Sequence, residues 1–137
     1  MKIQRNVTGA ISLITMIASA TTLIGQEIKV WTTETQPARL ERQANMAAEY
    51  EASTGVKVEM IPVEEKDMGT RATAAFAAGD LPDVIYYGLQ YALPWTEAGI
   101  LDPEATQEVV DALGSDTFAP GPIQMAATPN GVAGVPV

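Results

Sequence analysis

The chain has 137 residues, enough for one domain with a modest core. It carries 17 acidic against 8 basic residues, a formal charge of −9, and no cysteine or histidine. The acidic balance argues against a surface that neutralises nucleic-acid phosphates. The missing cysteines exclude disulfides and thiolate metal sites, and the missing histidines remove the commonest general base.

Residues 1–20 read as a secretory signal peptide. Lys2 and Arg5 form a basic start, Val7 to Ile17 an apolar run diluted by Thr8, Ser12 and Thr15, and Ala18-Ser19-Ala20 a small-x-small exit. The run is shorter and more polar than the roughly 20 apolar residues of a membrane-spanning helix. Cleavage after Ala20 is therefore expected, leaving residues 21–137 as the mature part. No lipid-attachment cysteine and no second apolar run of spanning length follow, so the mature protein is expected free in solution in a periplasm. Loss of Lys2 and Arg5 makes its net charge more negative, which serves solubility.

Ile28 to Trp31 reads as a short strand, followed by polar residues from Thr32 to Gln36. Pro37 suits the first turn of a helix. Leu40, Ala44, Ala47, Ala48 and Tyr50 share one face of that helix, and Gly55 stops it. Val56 to Ile61 is a second strand, ended by Pro62. Glu64, Glu65 and Asp67 favour a helix start, with Met68, Ala72, Ala75 and Phe76 as its buried stripe. Gly69 lies inside this helix at a cost of about 1 kcal/mol relative to alanine, and Gly79 ends it.

Leu81-Pro82 forces an extended entry into Val84-Ile85-Tyr86-Tyr87, a continuous apolar run of the kind found in strands buried on both faces. Strand, helix, strand, helix, strand with long crossovers predicts an α/β fold, a βαβαβ parallel sheet with flanking helices. Short helices are expected at Tyr91 to Ala98, with Pro94 kinking or delaying it and Gly99 stopping it, and at Thr106 to Leu113. Residues 114–129 show little periodicity. Asn130-Gly131 is a turn signal, after which Val132 to Val137 begins a strand.

Ligands of an open parallel sheet bind beyond the carboxyl ends of its strands. That rule selects Trp31 to Gln36, Pro62 to Glu65 and Tyr86 to Tyr91. The first and third segments combine aromatic and hydrogen-bonding groups, a combination suited to the apolar faces and hydroxyl rims of sugars. Trp31 is equally suited to core packing or ligand contact. Tyr86 and Tyr87 face opposite sides of the sheet, and Tyr87, nearer the strand end, is the expected cleft residue. Glu34, Thr35 and Gln36 are candidates for solute contact or for capping the first helix. Gln90 and Tyr91 are candidates by position, whereas Glu64-Glu65 reads as a solvated helix start. Ser53 and Ser115 lie in no Gly-x-Ser-x-Gly elbow, no phosphate-binding loop is present, and no carboxylate pair is singled out by spacing. Neither catalysis nor a cofactor is expected.

Five segments in order resemble the family 1 extracellular solute-binding proteins of ABC importers. They are Ile28 to Trp31, Glu51-Ala52-Ser53-Thr54-Gly55-Val56-Lys57-Val58, Ala77-Ala78-Gly79-Asp80-Leu81-Pro82-Asp83-Val84, Glu97-Ala98-Gly99-Ile100-Leu101-Asp102-Pro103, and Gly131 to Val137. Pro82 and Asp83 enter the amino end of the third strand, opposite the cleft, and are expected to shape a turn. The resemblance implies a two-lobed type II periplasmic binding protein that closes on a small-molecule solute and is recognised by the membrane permease subunits, with no stable membrane insertion and a monomeric full-length state. Residues 21–137 correspond to an incomplete N-terminal lobe, either a fragment or a truncated product, with the second lobe absent and an open, aggregation-prone sheet edge. In sugar-binding members the loops after the first and third strands contact solute, which implies roles here for Glu34, Thr35, Gln36, Tyr87, Gln90 and Tyr91. A sugar is the expected solute. A polyamine, oligopeptide or ferric complex, or a truncated interaction module without transport function, are the alternatives.

Overall fold

The computed structural model describes residues 26–136. The expected signal peptide, residues 1–20, lies outside the described residues. Among those described, no helix is long and apolar enough to cross a membrane.

The expected βαβαβ unit is present as β1 (Glu27–Thr32), α1 (Pro37–Thr54), β2 (Lys57–Pro62), α2 (Glu65–Ala78) and β3 (Val84–Ile85). The three strands form one parallel sheet in the order β2-β1-β3. Gly55 and Gly79 end the two helices in the left-handed conformation, at φ 75° and 69°. The first crossover moves to one side of β1 and the second to the other, so right-handed connections place α1 and α2 on opposite faces. Register fixes which residues share a face: Val30 aligns with Met60 and Val84, and Trp31 with Ile61 and Ile85.

The α2 face carries the core. Trp31, Val63, Met68, Ala72 and Trp95 are buried together, with Ile61, Ile85, Tyr87 and Tyr91 packed against them. Met68 and Ala72 supply the inward stripe of α2, but Phe76, expected on it, is 44% exposed. It lies toward the outer end of the helix, with its ring tip close to Gly99. Gly69 faces Tyr91, and a Cβ there would stand 3.1 Å from the phenol oxygen. Close approach of this ring explains a glycine inside a helix.

On the opposite face cover is thinner. No residue of α1 is buried. Leu40, Gln43 and Ala47 face inward, while Ala44, Ala48 and Tyr50, expected on the inward face, are exposed. The polar Gln43 occupies the central inward position because its amide bonds to Thr32 on β1. The expectation that residues 84–87 are buried on both faces is also corrected. Val84 and Tyr86 are 48% and 47% exposed, and border an open groove of about 860 Å³ that also meets Val30, Met60 and Val109. The run is apolar on both sides, but only the α2 side is packed among the described residues.

A 3₁₀ turn (Leu89–Tyr91) leads into α3 (Ala92–Glu97), with Pro94 in its first turn. Then comes α4 (Pro103–Leu113), which begins earlier than its periodicity predicted. Asp102 Oδ1 accepts the amides of Glu104 and Ala105 at 3.1 and 3.0 Å, and Pro103 needs no partner for its nitrogen. A further 3₁₀ turn (Ser115–Thr117) and α5 (Pro120–Met125) occupy the aperiodic stretch. The strand expected from Val132 onward is reduced to β5 (Gly131–Val132), which pairs antiparallel with β4 (Ala127–Thr128). Gly131, at φ 132°, sits so close to Pro103 that a side chain there would collide with its carbonyl.

Asp83 has a structural role, as expected. Its Oδ2 accepts the backbone N–H of Lys29 at 2.8 Å, immediately before the β1–β3 pairing begins at Val30 and Val84. The side chain substitutes for a ladder acceptor. Asp83→Ala is expected to cost about 1 kcal/mol of unfolding free energy, measured by urea titration, with Asp83→Asn closer to wild type because the amide oxygen still accepts.

Candidate functional site

Parallel strands bring their carboxyl ends to one edge. Thr32 stands beside Pro62 and Trp31 beside Ile61 and Ile85, so the segments after β1, β2 and β3 converge there. Backbone bonds fix the junctions: Val63 N–H donates to Thr32 O at 2.8 Å and Tyr86 N–H to Trp31 O at 2.9 Å.

The loop after β1 is tied from within. Thr32 is 1% exposed, and its Oγ1 accepts the Glu34 amide at 3.2 Å and Gln43 Nε2 at 3.1 Å. Gln43 Oε1 is buried and unpaired among the described residues, which costs about 1–3 kcal/mol of lost hydration. The Glu34 carboxylate accepts Arg39 Nη1 at 2.8 and 3.0 Å. Thr35 and Gln36 are exposed, and Gln36 stands at the N-cap of α1 without a side-chain bond to the helix. The capping alternative is thus not realised, and both side chains face solvent.

The aromatic candidates belong to the packed cluster on the α2 side of the sheet. Trp31 is 5% exposed and belongs to the core, with the Arg71 guanidinium 4.5 Å above its ring. Tyr91 stacks on Trp95 at 4.4 Å and 17°. Tyr87 tilts against Trp95 at 5.4 Å, and its hydroxyl donates to Ala133 O at 2.6 Å. Burial pushes the Tyr87 phenol above its ordinary pKa. Gln90 is exposed and folds its side chain back over Gly88. Tyr86 lies on the groove side of the sheet, and its ring is the more accessible of the pair.

The candidates named from sequence therefore fall into two sets. Glu34, Thr35, Gln36 and Gln90 are polar groups at the loop surface. Trp31, Tyr87 and Tyr91 gather around Trp95 in the packed cluster. Sequence reasoning missed Arg39, Gln43 and Trp95, and placed Thr32 in a selected segment without assigning it a role. The opposite charges of Glu34 and Arg39 were a usable signal, whereas nothing local marks Gln43 as inward. Among the described residues no group of acidic side chains is placed to hold a metal ion.

Residues 36–137 match the family described as bacterial extracellular solute-binding protein, and the chain belongs to that family, whose members are solute-binding proteins rather than enzymes. In Escherichia coli (strain K12), YcjN, named as an ABC transporter periplasmic-binding protein, is 32% identical over 103 residues, covering 71% of this chain and 24% of its own length. Two solved structures share the fold. The sugar-binding protein MalE of Xanthomonas citri superposes with a TM-score of 0.70 at 21% identity over 81% of this chain and 28% of that one. The Thermus thermophilus maltotriose binding protein, bound with maltotriose, gives 0.65 at 21% identity over 80% and 28%. The chain thus has the type II periplasmic binding protein fold of its neighbours and spans about a quarter of the length of these relatives.

The raised Tyr87 pKa means that the folded protein holds the phenol proton more tightly than the unfolded chain. The associated stability is fully present below pH 10 and is lost as pH rises through the elevated folded value. Tyr87→Phe is expected to lose about 1 kcal/mol at neutral pH and to show a shallower alkaline decline than wild type, both read from thermal unfolding across pH 7 to about 11.

Proposed function

We propose that the protein is the solute receptor of an ABC importer in the periplasm, that its solute is a carbohydrate, and that residues 1–20 are the export signal. The observation that supports this reading is that the loop after β1, with exposed Thr35 and Gln36, and the segment after β3, with exposed Gln90 next to the packed Tyr87 and Tyr91, both start from the carboxyl edge of the sheet. Sugars bind where fixed polar groups meet aromatic faces. The maltotriose- and sugar-binding names of structural neighbours support the same solute class.

The described residues form part of a first lobe. A second lobe completes the cleft, hinge closure buries the solute, and the closed form docks on the permease subunits. A cationic solute is disfavoured because Arg39 already engages both oxygens of Glu34. That pairing leaves the loop a source of neutral hydrogen bonding.

Calorimetric titration with maltotriose and with spermidine tests the solute class. The expected result is binding of maltotriose alone, weakened about tenfold by Gln90→Ala, the loss of one or two hydrogen bonds. Spermidine binding that disappears in Glu34→Gln, with no response to maltotriose, would establish the polyamine reading instead.

A further inference from the structure

Gln43 occupies a position where an apolar side chain would serve stability better. It lies on the inward side of α1 between Leu40 and Ala47 and borders the apolar groove beside Val30 and Met60. Its Nε2 donates to Thr32 Oγ1 at 3.1 Å, and its Oε1 is buried without a partner among the described residues. Exchanging the two ends of the amide does not remove the mismatch. The Thr32 hydroxyl then donates to Oε1, and the NH₂ group becomes the unpaired one. A buried amide kept half-satisfied points to a task other than stability.

The task is visible in the bonds that continue from it. Thr32 Oγ1 also accepts the Glu34 amide at 3.2 Å. The Glu34 carboxylate in turn accepts Arg39 Nη1 at 2.8 and 3.0 Å. The series starts on the second turn of α1, passes through the last residue of β1 and the loop, and returns to the first turn of α1. It encloses residues 33–36.

We propose that Gln43 is a positioning residue for this loop. Its amide holds the Thr32 hydroxyl with Oγ1 directed at the Glu34 N–H, and so fixes the Glu34 carboxylate and the exposed Thr35 and Gln36 side chains. That the loop faces solute rests on the receptor reading above. The bonded series itself is measurable without any solute, so a failed maltotriose titration and a failed clamp are separate results.

Amide hydrogen exchange of the full chain, followed by NMR, is the test. Gln43→Leu keeps the bulk of the side chain and removes the donor. The Glu34 amide is expected to exchange about tenfold faster in this variant, while Val30, held in the β1 ladder, keeps its wild-type protection. Gln43→Glu is expected to restore the Glu34 protection, because its carboxylate accepts a hydrogen bond from the Thr32 O–H and leaves an Oγ1 lone pair for the Glu34 N–H. Unchanged Glu34 exchange in Gln43→Leu overturns the proposal. So does acceleration of Glu34 and Val30 by the same factor, which is the signature of general destabilisation. If Gln43→Leu does not fold, Thr32→Val cuts the same link from the strand side, with Thr32→Ser as the variant that retains it, and the same outcomes decide.

Discussion

The architecture depends on β1 being paired along both edges. It is the central strand, with β2 on one side and β3 on the other, and every later element takes its place from it. Its final two residues divide the labour. Trp31 points to one face and anchors the buried cluster of Met68, Ala72 and Trp95. Thr32 points to the other and receives the hydrogen bonds that shape the following loop. Period-two alternation at the strand end thus separates core packing from loop shaping by a single residue step.

The loop after β1 inherits its order from that step. A loop built on one strand end and one helix start has only a few backbone bonds of its own. Here side chains close the gap: Glu34 and Arg39 span the turn from outside, and Gln43 reaches Thr32 from inside. The Glu34–Arg39 pair and the Thr32–Gln43 bond hold this loop with little net charge of its own. On the other face Tyr91, Trp95 and Tyr87 restrain one another by packing.

Much of the βαβαβ unit was legible because each boundary carries a distinct residue: Pro37 at a helix start, Gly55 and Gly79 at helix ends, and alternation in Lys57 to Ile61. The convergence of three loops followed from the parallel order alone. Burial was less legible. Val84 and Tyr86 are as apolar as their neighbours, and the sequence of a strand does not state which of its faces is covered. Phe76 fits the stripe by spacing, but lies near the helix end where little stands over it. Gln43 is the reverse case, a polar residue turned inward, and its reason is a hydroxyl on another element. The role of Asp83 was readable as structural, while its particular bond to Lys29 N–H, 54 residues away in the chain, was not.

That last separation has a consequence for how the chain acquires its fold. β1 pairs with β2 at a spacing of 30 residues and meets the Asp83 acceptor across 54, and the Tyr87 hydroxyl reaches Ala133 across 46. Each ladder requires closure of a long loop before any of its bonds form, so the topology is nonlocal and assembles slowly compared with its helices. A chain emerging amino end first has β1 from the outset, but no third strand until residues past Ile85 have appeared. Until then Trp31 lacks the packing that β3 supplies at Ile85.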